Sequence, residues 1–134
     1  MKKLKYFIPS MIIMIMIFLF SQQTGSQSSS LSGGILYWVQ THLHITIPEL
    51  FIRKAAHMSE YALLCLSFIY AFKHYNYSLK RIFIYSICCS FLYACSDEFH
   101  QLFIPNRAGS FIDVLIDTTG SILITFIYGL LKKE

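Results

Sequence analysis

Four apolar runs, each long enough to cross a lipid bilayer, constrain this sequence more than any other feature. The hydrocarbon core of a membrane is about 30 Å thick, so a helix that crosses it needs roughly 20 apolar residues. The runs predict membrane-spanning helices at residues 4–20, 53–72, 81–103 and 111–131. Hydrophobic residues make up 55% of the 134 residues and charged residues only 13%, which is too apolar for a soluble domain of this size. We therefore predict an all-α, polytopic membrane protein in which residues 1–134 form one transmembrane domain.

The first run follows three lysines, an arrangement that secretory signal peptides share. The next segment, SQQTGSQSSS, has no small-x-small site that ends in alanine, and the next cysteine is Cys65. We therefore expect the first helix to remain in the protein as a membrane span.

Basic residues are distributed unevenly along the chain, and lysine and arginine concentrate in cytoplasmic connections. Eight of the eleven basic residues lie at the termini or around residues 73–81: Lys2, Lys3, Lys5, Lys73, Lys80, Arg81, Lys132 and Lys133. This bias predicts that both termini lie in the cytoplasm and that residues 21–52 and 104–110 lie outside. The net charge of +4 therefore indicates topology and gives no reason to expect a nucleic-acid partner.

The segment at residues 21–52 is predicted to be an outer loop with an interfacial part. Ser21–Ser32 is rich in serine, glutamine and glycine, a composition typical of loops. The apolar but interrupted stretch that follows contains Tyr37 and Trp38, residues favoured at membrane interfaces. We expect a short helix there, lying in the interface.

Acidic residues gather on the predicted outer side. Six of the seven belong to it: Glu49, Glu60, Asp97, Glu98, Asp113 and Asp117. At 1.5 Å per helical residue, Glu60, Asp97 and Asp117 each lie about 10 Å inside the outer ends of their helices. Ionisable groups at such depth are costly to insert. Their common level predicts a polar site among three helices. Gly120 follows Asp113 and Asp117 on the same side of the fourth helix, where we expect a neighbouring backbone to approach closely.

Three basic residues on this side, Arg53, Lys54 and Arg107, cannot neutralise six carboxylates. One interpretation is structural, with these cations paired to Asp97, Asp113 or Asp117. A second is a divalent metal, because two imidazole–carboxylate pairs occur at i, i+3: His57 with Glu60, and Asp97 with His100. A third is acid/base chemistry by closely spaced carboxylates and histidine. The fourth is binding of an outer-leaflet ligand without chemistry.

Four cysteines occur without C-x-x-C spacing, namely Cys65, Cys88, Cys89 and Cys95. We interpret them as small apolar side chains that fill space between helices.

Four motifs together resemble the VanZ-like family: F-S-x-Q at Phe20–Gln23, R-K-x-x-H-x-x-E-Y at Arg53–Tyr61, S-D-E-x-x-Q at Ser96–Gln101, and P-x-R-x-G-S-x-x-D-V-x-x-D-x-x-G at Pro105–Gly120. The resemblance covers nearly the whole chain. It implies a small, multi-pass protein of the bacterial cytoplasmic (inner) membrane, in a family named after a member linked to resistance to the glycopeptide teicoplanin. The motif positions it implies are Ser21, Gln23, Lys54, His57, Glu60, Tyr61, Asp97, Glu98, Gln101, Arg107, Asp113, Asp117 and Gly120.

The sequence thus predicts an outward-facing polar site that binds or acts on a cell-envelope component or a lipid-tailed glycopeptide antibiotic. The alternative is a membrane enzyme that uses acid/base or metal-assisted chemistry on a lipid-linked precursor. The catalytic candidates are His57, Glu60, Asp97, Glu98, His100, Asp113 and Asp117. The ligand-binding candidates are Ser21, Gln23, Arg53, Lys54, Tyr61, Gln101 and Arg107. No cofactor is assigned, and a divalent metal would use His57, Glu60, Asp97 and His100.

Overall fold

The computed structural model describes residues 3–132 and is built from α-helices. A 3₁₀ turn at Leu4–Phe7 leads into α1. The α-helices are α1 (Ile8–Ser21), α2 (Gly25–Leu43), α3 (Glu49–Phe72), α4 (Leu79–Gln101) and α5 (Phe111–Leu131). The described residues contain no β-strand, so the all-α prediction is confirmed. Lys2, Lys133 and Glu134, which entered the topology prediction, lie outside the described residues.

Four helical segments are long and apolar enough to cross a membrane, as the sequence predicted. They are Leu4–Ser21, Glu49–Phe72, Leu79–Gln101 and Phe111–Leu131. The third span begins two residues earlier than expected because the Ser78 hydroxyl caps α4, accepting a hydrogen bond from the Arg81 amide at 3.5 Å. It ends at Gln101, two residues before the expected end. The second begins four residues early, directly after Pro48, which lacks an N–H and has an extended backbone.

The prediction of a loop at Ser21–Ser32 is wrong, because helix α2 begins at Gly25 and continues for 19 residues. Thr24 and Gln27 form a capping box: the Thr24 amide donates to Gln27 Oε1 at 3.0 Å, and the Gln27 amide donates to Thr24 Oγ1 at 3.4 Å. These bonds satisfy main-chain groups that a helix start leaves free. The helix also begins against the turn between α4 and α5, where the Gly25 amide donates to the Pro105 carbonyl at 3.3 Å.

Helix α3 lies at the centre of the bundle and packs against α1, α2, α4 and α5. One apolar core contains Tyr61, Leu64 and Phe68 of α3 with Ile17 of α1 and Ala94 of α4. Large apolar side chains also cover the outside of the bundle. Such a surface is expected where lipid, rather than water, surrounds the helices.

The two ends of the bundle differ in charge. At one end α1 and α4 finish while α3 and α5 begin, and we call this the acidic end because Asp97, Glu98 and Asp113 lie there. At the opposite, basic end, the Tyr6 ring stacks on His74 with centroids 3.6 Å apart, and the Lys3 ammonium lies 5.2 Å from the Tyr75 ring centroid. Acidic residues therefore concentrate at one end of the bundle, where Arg53, Lys54 and Arg107 also lie, while basic residues lie at the opposite end.

Reporter fusions are expected to show that the basic end faces the cytoplasm, because lysine and arginine are retained on that side. A phosphatase that is active only in the periplasm should be inactive when fused after Lys133 or after Tyr75, and active when fused after Ser32. Strong activity after Lys133, with the fusion present at full length, would reverse this orientation.

The cysteines occupy different environments. Cys65 is buried, with its sulfur 3.5 Å from the Thr125 hydroxyl oxygen, and all four thiols are free. Cys88 is exposed, and Cys89 and Cys95 are partly exposed. The space-filling interpretation therefore fits Cys65 and fails for Cys88.

Candidate functional site

A buried hydrogen-bond network joins α1, α3 and α4 at the acidic end. Asp97 is only 4% exposed and accepts hydrogen bonds from the Tyr61 hydroxyl at 3.1 Å and from Gln101 Nε2 at 3.4 Å. Gln101 also donates to the Ser21 hydroxyl at 2.9 Å. Asp97 and Gln101 are one helical turn apart, so they present both groups on one face of α4. The network fixes the C-terminal ends of α1 and α4 against α3.

The turn between α4 and α5 brings Arg107 back toward α1. Asn106 has a left-handed backbone with φ of 58°, a conformation that asparagine tolerates. The Ser110 amide donates to Glu98 Oε2 at 2.9 Å, which ties the start of α5 to the end of α4. Arg107 Nη2 then donates to the Phe20 carbonyl at 3.4 Å. The guanidinium is thereby held over the ends of the helices.

One of the predicted structural ion pairs is present. Lys54 of α3 pairs with Asp113 of α5, and both side chains are about one-third exposed. The part of the chain that the structure describes contains no ion pair of Arg53 or Arg107. The interpretation that Arg53, Lys54 and Arg107 form structural ion pairs therefore accounts for Lys54 alone of these three.

A polar cavity of about 220 Å³ lies between α3, α4, α5 and the turn at residues 104–110. Eight of the candidate residues line it: Arg53, Lys54, His57, Glu98, Gln101, Arg107, Asp113 and Asp117. Asn106, which the sequence analysis did not nominate, lines it as well. The sequence P-N-R-A-G could have indicated Asn106, because a tight turn often needs a residue with positive φ and asparagine tolerates one.

An apolar groove of about 350 Å³ adjoins this cavity, between α2, α3 and the end of α1. Its apolar walls include Phe20 of α1, Leu31 and Ile35 of α2, and Ile52 of α3. The groove and the polar cavity share three lining residues, namely Arg53, His57 and Arg107. Gln23 and Glu60 line the groove rather than the polar cavity.

Three polar atoms of the cavity residues are buried and, within residues 3–132, have no hydrogen-bond partner. They are Asp117 Oδ2, Arg107 Nε and His57 Nδ1. His57 Nδ1 lies 3.8 Å from Glu60 Oε2, which is beyond hydrogen-bond distance. Burial lowers the pKa of the Arg107 guanidinium, and the charge of Arg53 lowers this pKa further. Buried polar atoms are rarely left unpaired, so these atoms are open to a ligand or to water.

The predicted site residues thus fall into three groups and one exception. Eight line the polar cavity, Gln23 and Glu60 line the apolar groove, and Ser21, Tyr61 and Asp97 form the buried network with Gln101. His100 lines neither space, and its ring packs on Phe18 with centroids 5.0 Å apart. Asp117 interacts electrostatically with four nearby carboxyl groups, those of Asp97, Glu98, Asp113 and Glu60.

The hypothesis of a divalent metal gains no support from this arrangement. Among the residues that the structure describes, no three histidine, cysteine, aspartate or glutamate side chains form a group suited to hold a metal ion.

Comparison with known proteins adds one finding. A family model described as VanZ/LLP1 matches residues 6–132. No curated protein and no solved structure matches the chain.

Proposed function

The chain belongs to the VanZ-like family, and we propose that it is a bacterial cytoplasmic-membrane protein that binds a lipid-tailed ligand at its acidic end. The ligand is a component of the cell envelope or a lipid-tailed glycopeptide antibiotic of the teicoplanin type. The observation that carries this proposal is the polar cavity with an apolar groove directly beside it.

The shared wall between the two spaces is suited to an amphipathic ligand. Arg53, His57 and Arg107 line both, so a headgroup in the cavity and a tail in the groove would meet these side chains at their junction. Binding sites commonly combine apolar walls with a few convergent polar groups. The junction lies at the acidic end of the bundle, because Arg53 and His57 are near the start of α3 and Arg107 is in the turn between α4 and α5. A lipid tail would enter there from the membrane.

Helix α2 completes the groove without being a membrane span. One wall of the groove belongs to α3, with Ile52 and Ala56, and the other belongs to α2, with Ser28, Leu31, Ser32 and Ile35. Leu31 and Ile35 remain about half exposed, so they have apolar surface that a tail would cover. Covering such surface contributes binding free energy in proportion to the area removed from water.

A purified-protein binding assay tests the proposal, with protein in lipid nanodiscs and with a teicoplanin-type glycopeptide or the same glycopeptide without its acyl tail. We expect saturable binding of the acylated form. Leu31→Gln should weaken it about fivefold, since it removes apolar contact with the tail. Leu43→Gln is the matched control, because Leu43 is in the same helix, is similarly exposed at 54% against 56%, and does not line the groove.

Binding that is equally strong without the tail, or equally weakened by Leu31→Gln and Leu43→Gln, would refute a role for the groove. A lipid-linked envelope precursor serves as the second ligand in the same assay. If the precursor alone binds, the envelope component is the ligand. Cells that express the wild type and the Leu31→Gln variant at equal levels then show whether teicoplanin susceptibility follows binding.

A membrane enzyme is the second candidate, favoured by one specific observation. Asp97, Glu98 and Asp117 are buried close together, and the free Oδ2 of Asp117 and the Nδ1 of His57 belong to residues that line the same cavity. Carboxylate and imidazole groups placed in this way can exchange protons with a bound substrate. Recovery of the lipid-linked precursor after incubation separates the two candidates, since a binding protein returns it unchanged and an enzyme returns a product.

A further inference from the structure

The charged groups that line the polar cavity are balanced. Three are basic, Arg53, Lys54 and Arg107, and three are acidic, Glu98, Asp113 and Asp117. Lys54 and Asp113 pair with each other, which leaves two groups of each sign. A ligand that carries one positive and one negative charge matches such a lining, whereas a ligand with a single charge leaves one sign unmatched.

Asp117 supplies the anionic half of this complementarity. It is 1% exposed, lines the cavity, and has an Oδ2 without a hydrogen-bond partner among the described residues. The carboxyl groups of Glu98, Asp97, Asp113 and Glu60 lie close enough to act on it electrostatically. A donor that is also a cation would satisfy the free oxygen and reduce the repulsion among these carboxylates. An ammonium group has both properties.

Arg107 and Arg53 supply the cationic half. Arg107 uses one terminal nitrogen on the Phe20 carbonyl, while its buried Nε has no partner in the described part of the chain. Arg53 lines the same cavity and raises the local positive charge. Neither guanidinium group has a carboxylate partner within residues 3–132. Together they form a site for an anionic oxygen group, which they can bind through several charge-assisted hydrogen bonds.

The size of the cavity restricts the headgroup. At about 220 Å³ it is smaller than the roughly 300–1,000 Å³ of a site for a drug-sized molecule. A compact headgroup fits, and the rest of an amphipathic molecule must lie in the apolar groove.

We propose that the polar cavity binds a small zwitterionic headgroup, with an ammonium group at Asp117 and an anionic oxygen group at Arg107 and Arg53. This inference rests on the proposed function and narrows its ligand to an amphiphile of the phosphoethanolamine type. The apolar groove receives the acyl chain.

Three single-chain phospholipids with the same acyl chain test the headgroup: lysophosphatidylethanolamine, its N-acetylated derivative, which lacks the positive charge, and lysophosphatidylglycerol. Binding to the purified full-length protein in maltoside micelles is measured by titration with native mass spectrometry. We expect lysophosphatidylethanolamine to bind about tenfold more tightly than either of the others, since only it donates a charge-assisted hydrogen bond to Asp117.

Two variants assign this preference to the two halves of the site. Asp117→Asn keeps the shape of the side chain and should abolish the preference for the ammonium group. Arg107→Gln should weaken all three phospholipids by a similar factor, because each carries the phosphate. Glu49→Gln is the control, since Glu49 is an acidic residue in the first turn of α3 that does not line the cavity.

The outcomes separate this inference from the proposed function. Saturable binding of all three phospholipids with equal affinity overturns the zwitterionic headgroup and leaves the lipid-tailed ligand standing. An unchanged preference in a folded Asp117→Asn variant overturns the assignment to Asp117. Absence of saturable binding by any of them, together with failure of the acylated glycopeptide and the lipid-linked precursor, overturns both. The comparison of the three headgroups uses the wild type alone, so it does not depend on the folding of any variant.

Discussion

Replacing Gly120 with alanine is expected to destabilise the bundle by about 1–3 kcal/mol, although alanine is the better helix former. A Cβ at position 120 would overlap the main-chain carbonyl oxygen of Met58 in α3. Unlike a flexible side chain, a helix backbone cannot rotate away, so α3 and α5 would have to separate. Thermal unfolding of the purified protein in detergent measures the effect.

Gly129 provides a matched control in the same helix. A Cβ there would meet the Phe83 ring at 3.4 Å, an ordinary van der Waals contact. Gly129→Ala should therefore leave stability unchanged or raise it by up to about 1 kcal/mol. Equal unfolding temperatures for the two variants would contradict the close approach of α3 and α5.

Sequence patterns predicted the spans and the close approach at Gly120 because both depend on local information. A membrane-spanning helix is recognised by length and hydrophobicity alone. Gly120 follows Asp113 and Asp117 on one helical face, which indicated where a neighbouring backbone could come close. The overlap that a Cβ would make with Met58 confirms this expectation.

Helix α2 was missed because composition is a weaker guide than specific capping and tertiary contact. Serine and glycine lower helix propensity, and the segment was therefore interpreted as a loop. The T-x-x-Q capping box at Thr24–Gln27 was visible in the sequence and would have corrected the start of the helix. The packing of Leu31 and Ile35 toward α3 could not be foreseen, because it depends on how α2 folds back over the bundle.

Helical periodicity predicted which residues belong to the site, but it did not predict which of them line the cavity, line the groove or join the buried network. Glu60 and Tyr61 are adjacent in sequence, yet Glu60 lines the groove while Tyr61 is fully buried against Asp97. His100 shares a predicted face with Asp97, but it packs on Phe18 instead. A stripe of one helix does not specify which neighbouring helix each side chain meets, and that information comes from the tertiary arrangement.

Asp97→Leu is expected to cause the largest loss of folded protein among single changes in the site. It leaves the buried Tyr61 hydroxyl without its acceptor, and it removes one of the two acceptors of Gln101. A buried donor without a partner costs about 1–3 kcal/mol. Membrane abundance and thermal unfolding should therefore both fall. Asp97→Asn keeps an acceptor oxygen of the same shape and should accumulate almost normally.

The double variant Tyr61→Phe with Asp97→Leu identifies the source of this loss. Since it removes the donor together with the acceptor, we expect it to be more stable than the sum of the two single changes by about 1–3 kcal/mol. Strict additivity would show that the Tyr61–Asp97 bond contributes nothing to the fold. Leu64 of α3 is also fully buried, and Leu64→Ala serves as a comparison, because it creates a cavity and should not be rescued by Tyr61→Phe.

Asp97→Asn and Glu60→Gln then separate a structural role from a binding role. Both remove a carboxylate charge near Asp117 while they keep the side-chain shape, so both should lower the affinity for lysophosphatidylethanolamine by about tenfold with little change in unfolding temperature. Glu60 lines the groove and Asp97 lies in the buried network, so neither lines the polar cavity and both would act on the ammonium group through space. If both act through one bound ammonium group, the double variant should bind at most about threefold more weakly than the weaker of the two single variants.

Full affinity in both single variants, at normal abundance, would leave Asp97 with a structural role only. Reduced abundance in Asp97→Asn, with unchanged affinity of the remaining folded protein, would lead to the same conclusion, because the charge itself would then stabilise the network around Tyr61 and Gln101.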